Sequence, residues 1–426
     1  EKYGTGCSGS RFLNGTLEAH VALERELAEF LRKEDAVTFS TGFQSNLGIV
    51  SAVAGRTDVI LCDKENHASI YDGCRLSFAK MVRYNHSDME DLENKLKAID
   101  PAVSGALIVT DGVFSMSGEI CKLPEIVALA KKYGAGVMVD DAHGLGVLGE
   151  GGRGTASHFG LEDEVDIYMG TFSKSLASLG GYMAANRKIC EYVRHTSRPF
   201  IFSASMTPAS VACARASLAV LKAEPERVKR LAEVSEHMRG ELKKRGVKIV
   251  ESATPIIPVY TYEDETTFRA CKMLFERGVY VNPVVSPATP VGQSLLRTSY
   301  TATHTFAQLD DAAEKIRCVL GELGVMSTPF RGRRLQKNRG LPALFLRPVS
   351  VCAGENFFVL LLCPCGRKTF LRLILLPVRP VRVFAEIGKR AAVRRTPDFF
   401  RSGRPFGKRK IFTAKRLTER GRRIII

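Results

Sequence analysis

Two short stretches hold the residues best suited to covalent chemistry. In "GTFSKSLASLGG" (170–181) Lys174 stands among small residues directly after the apolar run Val165–Met169. In "VMVDDAH" (137–143) Asp140, Asp141 and His143 close an earlier apolar run. Open α/β sheets place their ligands at the carboxyl ends of strands. An acid and a lysine on neighbouring strand ends suit pyridoxal phosphate: the amine condenses with the aldehyde, and the acid keeps the pyridine nitrogen protonated so that the ring accepts electrons. Burial and nearby positive charge would lower the lysine pKa and free the amine to act as nucleophile and base.

A phosphate needs amide donors at a helix N-terminus. "FSTGFQSN" supplies a candidate, with Ser40, Thr41 and Gly42 ahead of a helical stretch from about Phe43. His67, in "DKENHASIYDG", follows another strand and has two readings, a ring stacked on a planar cofactor or a structural hydrogen-bonder. Gly144-x-Gly146-x-x-Gly149 matches a dinucleotide fingerprint, but the "EGGRG" that follows cannot open a helix, so a nicotinamide site is excluded there. Those glycines read instead as a tight turn beside the active site.

The elements that must position these residues follow from periodicity. Residues 17–32 place Leu17, Val21, Leu27 and Leu31 at helical spacing. Short apolar runs at 59–61, 106–109, 136–139 and 165–169 alternate with helical stretches such as "LPEIVALAKKYG", which has proline near its start and Gly134 at its end. Continuous hydrophobicity in the strands means that both sheet faces are covered, so the sheet is mostly parallel. A long charged helix at 226–246 leads to strands near 247–250, 255–260 and 279–281 and a closing helix at 307–323. The expected architecture is a large α/β domain over 1–222 and a smaller C-terminal α+β domain over 223–326.

The net charge of +17 would suggest a nucleic-acid or anionic-membrane partner. Its distribution argues otherwise, because residues 327–426 hold 25 of the 62 basic residues and 4 of the 45 acidic ones, leaving the body mildly acidic. This tail is expected to be disordered or not native to the enzyme: it is Arg-rich yet carries aliphatic clusters such as "FLRLILLP" with no helical or strand period. The 11 cysteines form neither a short disulfide framework nor paired zinc-ligand spacings, and no metal is expected. With no signal peptide and no run long enough to span a bilayer, a cytoplasmic setting follows as an expectation. The chain opens on Glu1 with its pattern at full strength, so an N-terminal piece is expected to be missing.

Eight stretches in order carry a resemblance to a known family. They are "GTGCSGSRFLNGT" (4–16), "FSTGFQSNLG" (39–48), "NHASIYDG" (66–73), "TDGVFSMSG" (110–118), "VDDAHGLG" (139–146), "GTFSKSLASLGG" (170–181), "RPFIFSASMTP" (198–208) and "SPATPVGQSLLRTS" (286–299). Over about residues 1–325 the chain resembles the α-oxoamine synthases, fold-type-I pyridoxal-phosphate enzymes that join an amino acid to an acyl-CoA with loss of CO2. "SRFLNGT", "TFSKS" and "ATP…LLR" are most similar to the branch that condenses L-serine with palmitoyl-CoA to 3-ketosphinganine. The alternatives are the glycine C-acetyltransferase and 8-amino-7-oxononanoate synthase branches.

The resemblance implies a role for each matched residue. Lys174 would anchor the cofactor, Asp140 would pair with the pyridine nitrogen, His143 would contact the phenolic oxygen, and His67 would stack on the ring. Gly42, Phe43 and Ser173 would bind phosphate, together with Ser203 and Ala204 from the neighbouring subunit of a homodimer with a shared active site. Thr171 and Ser115 would lie near the cofactor, and Arg297 would grip the substrate carboxylate. The implied partners are the amino acid and acyl-CoA substrates, with no nucleic acid and at most a peripheral membrane contact.

Overall fold

The computed structural model of the chain describes residues 2–327 together with short strands at 349–353, 356–360 and 424–425. The chain divides into two units, Glu1–Pro329 with Arg420–Ile426, and Phe330–Glu419. In chain order the first unit contains α1 (Glu18–Phe30), β1 (Asp35–Phe39), α2 (Gly42–Val53), β2 (Val59–Asp63), α3 (Ala68–Leu76), β3 (Lys80–Tyr84), α4 (Met89–Lys97), β4 (Ala106–Asp111), α5 (Leu123–Tyr133) and β5 (Gly136–Asp140). There follow α6 (Thr155–Phe159), β6 (Ile167–Thr171), β7 (Gly181–Ala185), α7 (Arg187–Thr196), α8 (Arg198–Ile201), α9 (Pro208–Ala223), α10 (Glu226–Lys244), β8 (Ile256–Tyr262), α11 (Asp264–Glu276), β9 (Val279–Tyr280), β10 (Asn282–Val284), β11 (Ser294–Ser299) and α12 (Phe306–Glu322). In the second unit β12 (Val349–Ala353) pairs antiparallel with β13 (Asn356–Leu360). At the chain end β14 (Ile424–Ile425) lies parallel to β9. The remainder of the basic tail lies outside the described residues.

β1 to β7 form one sheet in the order β1-β7-β6-β5-β4-β2-β3. β7 alone among them runs antiparallel to its neighbours, β1 and β6. Successive side chains of a strand point to opposite faces. Val137 and Val139 accordingly join one core with α1, α5 and α9, while Met138, Ile60 and Met169 join a second core with α2, α3 and α7. Covering both faces explains why these strands are apolar without alternation.

A separate core lies around the antiparallel sheet β10-β11-β8, packed by α10, α11 and α12. The strand expected near 247–250 is reduced to one bridge, Ile249 to Val259. The Val250 N–H donates to the Pro258 carbonyl at 2.9 Å, but Pro258 has no N–H to return, so the ladder stops there. β6 begins two residues later than the apolar run suggests. The Asp166 carboxylate instead accepts the Val137 N–H at 2.8 Å and anchors the start of β5.

Candidate active site

The carboxyl ends of β2, β4, β5 and β6 converge on a cavity of about 300 Å³. Its wall includes Gly42, Phe43, His67, Ser115, Asp140, His143, Thr171, Ser173 and Lys174, nine of the residues singled out from the sequence. Asp111 and Asn46 also line that wall.

The α2 N-terminus forms one side. Thr41 caps the helix by accepting the Gln44 N–H at 3.1 Å, which leaves the Gly42 and Phe43 amides without acceptors among the described residues. A side chain at position 42 would place its Cβ 2.7 Å from that of Thr171, so glycine is required for this close approach. Thr171 Oγ1 in turn lies 2.9 Å from Ser173 Oγ and donates to the Gly180 carbonyl at 3.0 Å, pinning the start of the loop that carries Lys174.

Asp140 is buried and receives two donors: the Ala142 N–H at 3.0 Å and the Asn46 amide at 2.7 Å. That pattern suits an ionised carboxylate. The Lys174 ammonium makes no hydrogen bond or ion pair among the described residues. Solvent reaches it through the cavity, yet the enclosing protein lowers its pKa, with Asp140 and Asp111 opposing the shift and Arg297 reinforcing it. Burial first, then the positive charges of Lys174 and Arg297 and the adjacent His67, push the His143 pKa down to about 2. His143 is therefore a neutral imidazole at physiological pH. His67 caps α3, accepting the Ser69 N–H through Nδ1 at 3.3 Å, and stands edge-on to Phe43 at 6.4 Å.

Three sequence candidates lie outside this cavity. Arg297 lines an adjoining cavity of about 850 Å³ that also reaches His143 and Lys174, and its Nε donates to the Ser115 carbonyl at 2.7 Å. Ser203 accepts the Gln44 side-chain amide at 3.2 Å, and the Ala204 carbonyl accepts the Ser40 hydroxyl, both within the same chain. The glycine-rich turn after β5 packs against the lysine loop. Gly146 has φ of +73°, and a Cβ there would stand 2.6 Å from that of Ser175. Asp141 holds the far end of this turn by accepting the Thr155 N–H at 2.7 Å and hydroxyl at 2.6 Å, and burial raises its pKa to about 6. Elsewhere His237, Glu241 and Asp310 offer ligand atoms within 4.8 Å of one another, but Lys244 and Arg245 already engage Glu241 and would repel a cation.

Residues 5–316 match the family model for aminotransferases of class I and II. The chain belongs to that family. Among curated members of the family, it is 54% identical over 315 residues to a serine palmitoyltransferase of Sphingobacterium spiritivorum, covering 74% of this chain and 79% of the relative. An 8-amino-7-oxononanoate synthase of Thermoanaerobacter pseudethanolicus is 44% identical over 326 residues, covering 76% of this chain and 82% of the relative. Both names denote α-oxoamine synthases. A solved serine palmitoyltransferase variant from S. paucimobilis, with a bound PLP–myriocin aldimine, superposes with a TM-score of 0.74 at 40% identity over 76% of this chain and 82% of that one. The seven-stranded, mostly parallel sheet is thus the aminotransferase-family fold.

Within this aminotransferase-family site, the sequence reading passed over Asp111 and Asn46. Asp111 ends the apolar strand β4 just as Asp140 ends β5, and that position was the available signal. Asn46 lies one turn into α2, where nothing in a helical sequence marks it.

Proposed function

We propose that this chain is a pyridoxal-phosphate-dependent acyltransferase that condenses L-serine with palmitoyl-CoA, releasing CoA and CO2 and giving 3-ketosphinganine. The observation that carries the reading is the single cavity in which Lys174, Asp140, His143 and His67 meet Gly42 and Thr171. The residues fit the cofactor. The unused Gly42 and Phe43 amides and the hydroxyls of Thr171 and Ser173 suit a phosphate, and an unpaired Lys174 amine suits an aldehyde. When bound, the cofactor supplies an electrophilic carbon and a ring that takes up the electron pair released at the α-carbon of the amino acid.

Each side chain then has a task. The Lys174 amine would hold the group, and its lowered pKa favours the neutral form needed both to bind an aldehyde and to take up the α-proton of the amino acid. Asp140, fixed by Asn46 and Ala142, would pair with the ring nitrogen of the group and keep a proton there. Neutral His143 would hold the phenolic oxygen of the group, and His67 would flank its ring. Arg297, aimed by its Ser115 bond, grips the serine carboxylate with its remaining N–H groups. The adjoining cavity, walled by Val113, Val147, Leu176, Val220 and Ile256, offers the apolar surface that a long acyl chain requires.

A homodimer with a shared active site belongs to the same proposal. Leu13 and Phe202, each 78% exposed, flank the Ser10–Ala204 bridge and leave an apolar surface for a second copy, which would bring Ser203 and Ala204 to the partner's phosphate. The eight cysteines within residues 2–327 are free thiols, which supports a cytoplasmic setting. No helix among the described residues is long and apolar enough to cross a membrane. The distinct cores of the seven-stranded and three-stranded sheets support the division into 1–222 and 223–326.

The test uses purified protein loaded with pyridoxal phosphate. Lys174→Ala should lose the visible absorbance band of the anchored cofactor while keeping its fold, because the ammonium has no structural partner. Serine with palmitoyl-CoA should give the fastest turnover among serine, glycine and alanine offered with long and short acyl-CoAs. No response to serine would transfer the reading to the 8-amino-7-oxononanoate or glycine C-acetyltransferase branches.

A further inference from the structure

Asp111 and Asp140 end adjacent parallel strands in direct register. Both are 4% exposed, and both line the cavity. Their hydrogen-bond inventories differ. Asp140 receives a donor on each oxygen, from Ala142 and Asn46. Asp111 receives one, the His67 main-chain N–H at 3.0 Å on Oδ2, and its Oδ1 receives none among the described residues. Two buried carboxyls side by side do not both ionise without compensation, and the proton settles on the one with fewer donors.

We propose that Asp111 is a positioning residue that stands in the site as a neutral carboxylic acid, holding His67 by its main chain and leaving Asp140 as the carboxylate that serves the bound ring. The proposal rests on the cofactor reading given above. The groups facing Asp111 agree with it: Asp140 on β5, Cys62 on β2, Lys174 after β6 and the His67 amide after β2. Burial first and the Asp140 charge second raise the Asp111 pKa well above the usual carboxylate range, and the His67 bond and the Lys174 charge only partly oppose this. Lys174 forms no ion pair with either carboxyl. A neutral Asp111 therefore keeps the lysine from being held as an ammonium by two anions at once.

The decisive measurement is infrared spectroscopy of the cofactor-free protein at pH 8, where Asp141, with its pKa of about 6, is ionised. The wild type should show the C=O stretch of a protonated carboxyl, and Asp111→Asn should lack it. No such band in the wild type, or its persistence in the variant, overturns the proposal. The pH at which Lys174 becomes reactive toward an amine reagent should be the same in Asp111→Asn, since neutral replaces neutral; a downward shift of about one unit or more would show that Asp111 had been an anion. The positioning role separates Asn from Leu. Asp111→Asn still accepts the His67 N–H, whereas Asp111→Leu orphans it and should weaken pyridoxal phosphate binding about tenfold. Equal affinities in the two variants would remove the positioning role. Failure of the wild type to bind pyridoxal phosphate would sink the cofactor reading, while the infrared result on Asp111 would stand by itself.

Discussion

His86 Nδ1 lies 2.9 Å from Asp63 Oδ1, joining the turn after β3 to the end of β2, just ahead of the loop that carries His67. Its Nε2 reaches Glu119 at 3.2 Å and Glu65 at 3.6 Å, and the ring stands edge-on to Phe114 at 4.4 Å. Burial lowers the imidazole pKa, but the Asp63 bond and charge, with Glu65 and Glu119, outweigh it and raise the value to about 9. A histidine whose folded pKa lies above its unfolded value contributes stability that is complete below about pH 6.5 and is lost as pH rises through the folded value. His86→Gln should therefore cost about 2–3 kcal/mol at neutral pH, with the two proteins converging above pH 9. Urea titrations across pH 6 to 10 check this, and a penalty independent of pH would refute it.

Arg11 offers a second stability test. Its guanidinium meets Glu24 at 2.6 and 3.0 Å and Thr38 at 2.6 Å, with both charged side chains 7% exposed. Glu24→Ala strands a buried cation and should cost about 3–5 kcal/mol, whereas the double replacement Arg11→Met with Glu24→Leu should recover much of that loss. Thermal melts of the three variants decide it.

Arg297→Lys should raise KM for the amino acid about tenfold or more and leave the spectrum of the anchored cofactor unchanged. Lysine can match neither the Nε bond to Ser115 nor the two-pronged grip. Steady-state kinetics over a range of serine concentrations measure the effect.

Gly42→Ala forces a Cβ to within 2.7 Å of Thr171. Relieving that contact should cost about 1–3 kcal/mol and displace the amides at the α2 N-terminus. Equilibrium dialysis with pyridoxal phosphate should show weakened binding, with the larger part of the loss in affinity rather than in melting temperature.

Lys174, Asp140 and His143 were legible in the sequence because each follows an apolar run that reads as a buried strand, and strand ends converge in such sheets. Asp111 occupies an equivalent position, but its defining partner is the amide of His67, 44 residues earlier in the chain, and nothing in a one-dimensional pattern joins the two. β7 escaped notice for a different reason. "GYMAA" has no β-branched residue, and it is a strand because β1 and β6 bind it on both edges. The expected strand near 247–250 failed through Pro258, whose missing N–H matters only once its partner is known. The contacts of Ser203 with Gln44 and of Ala204 with Ser40 likewise depend on how α2 packs beside the segment after α8.

The antiparallel return of β7 beside β6 has a consequence for engineering. Parallel neighbours need a crossover of a dozen or more residues, but residues 172–180 leave and re-enter the sheet at one rim, closed by the Phe172 N–H to the Gly180 carbonyl at 3.0 Å and the Ser178 N–H to the Phe172 carbonyl at 2.9 Å. The segment bearing Lys174 is therefore a cassette with both splice points fixed in space. Libraries can be grafted between Thr171 and Gly181 to alter what approaches the amine without re-threading the seven-stranded sheet.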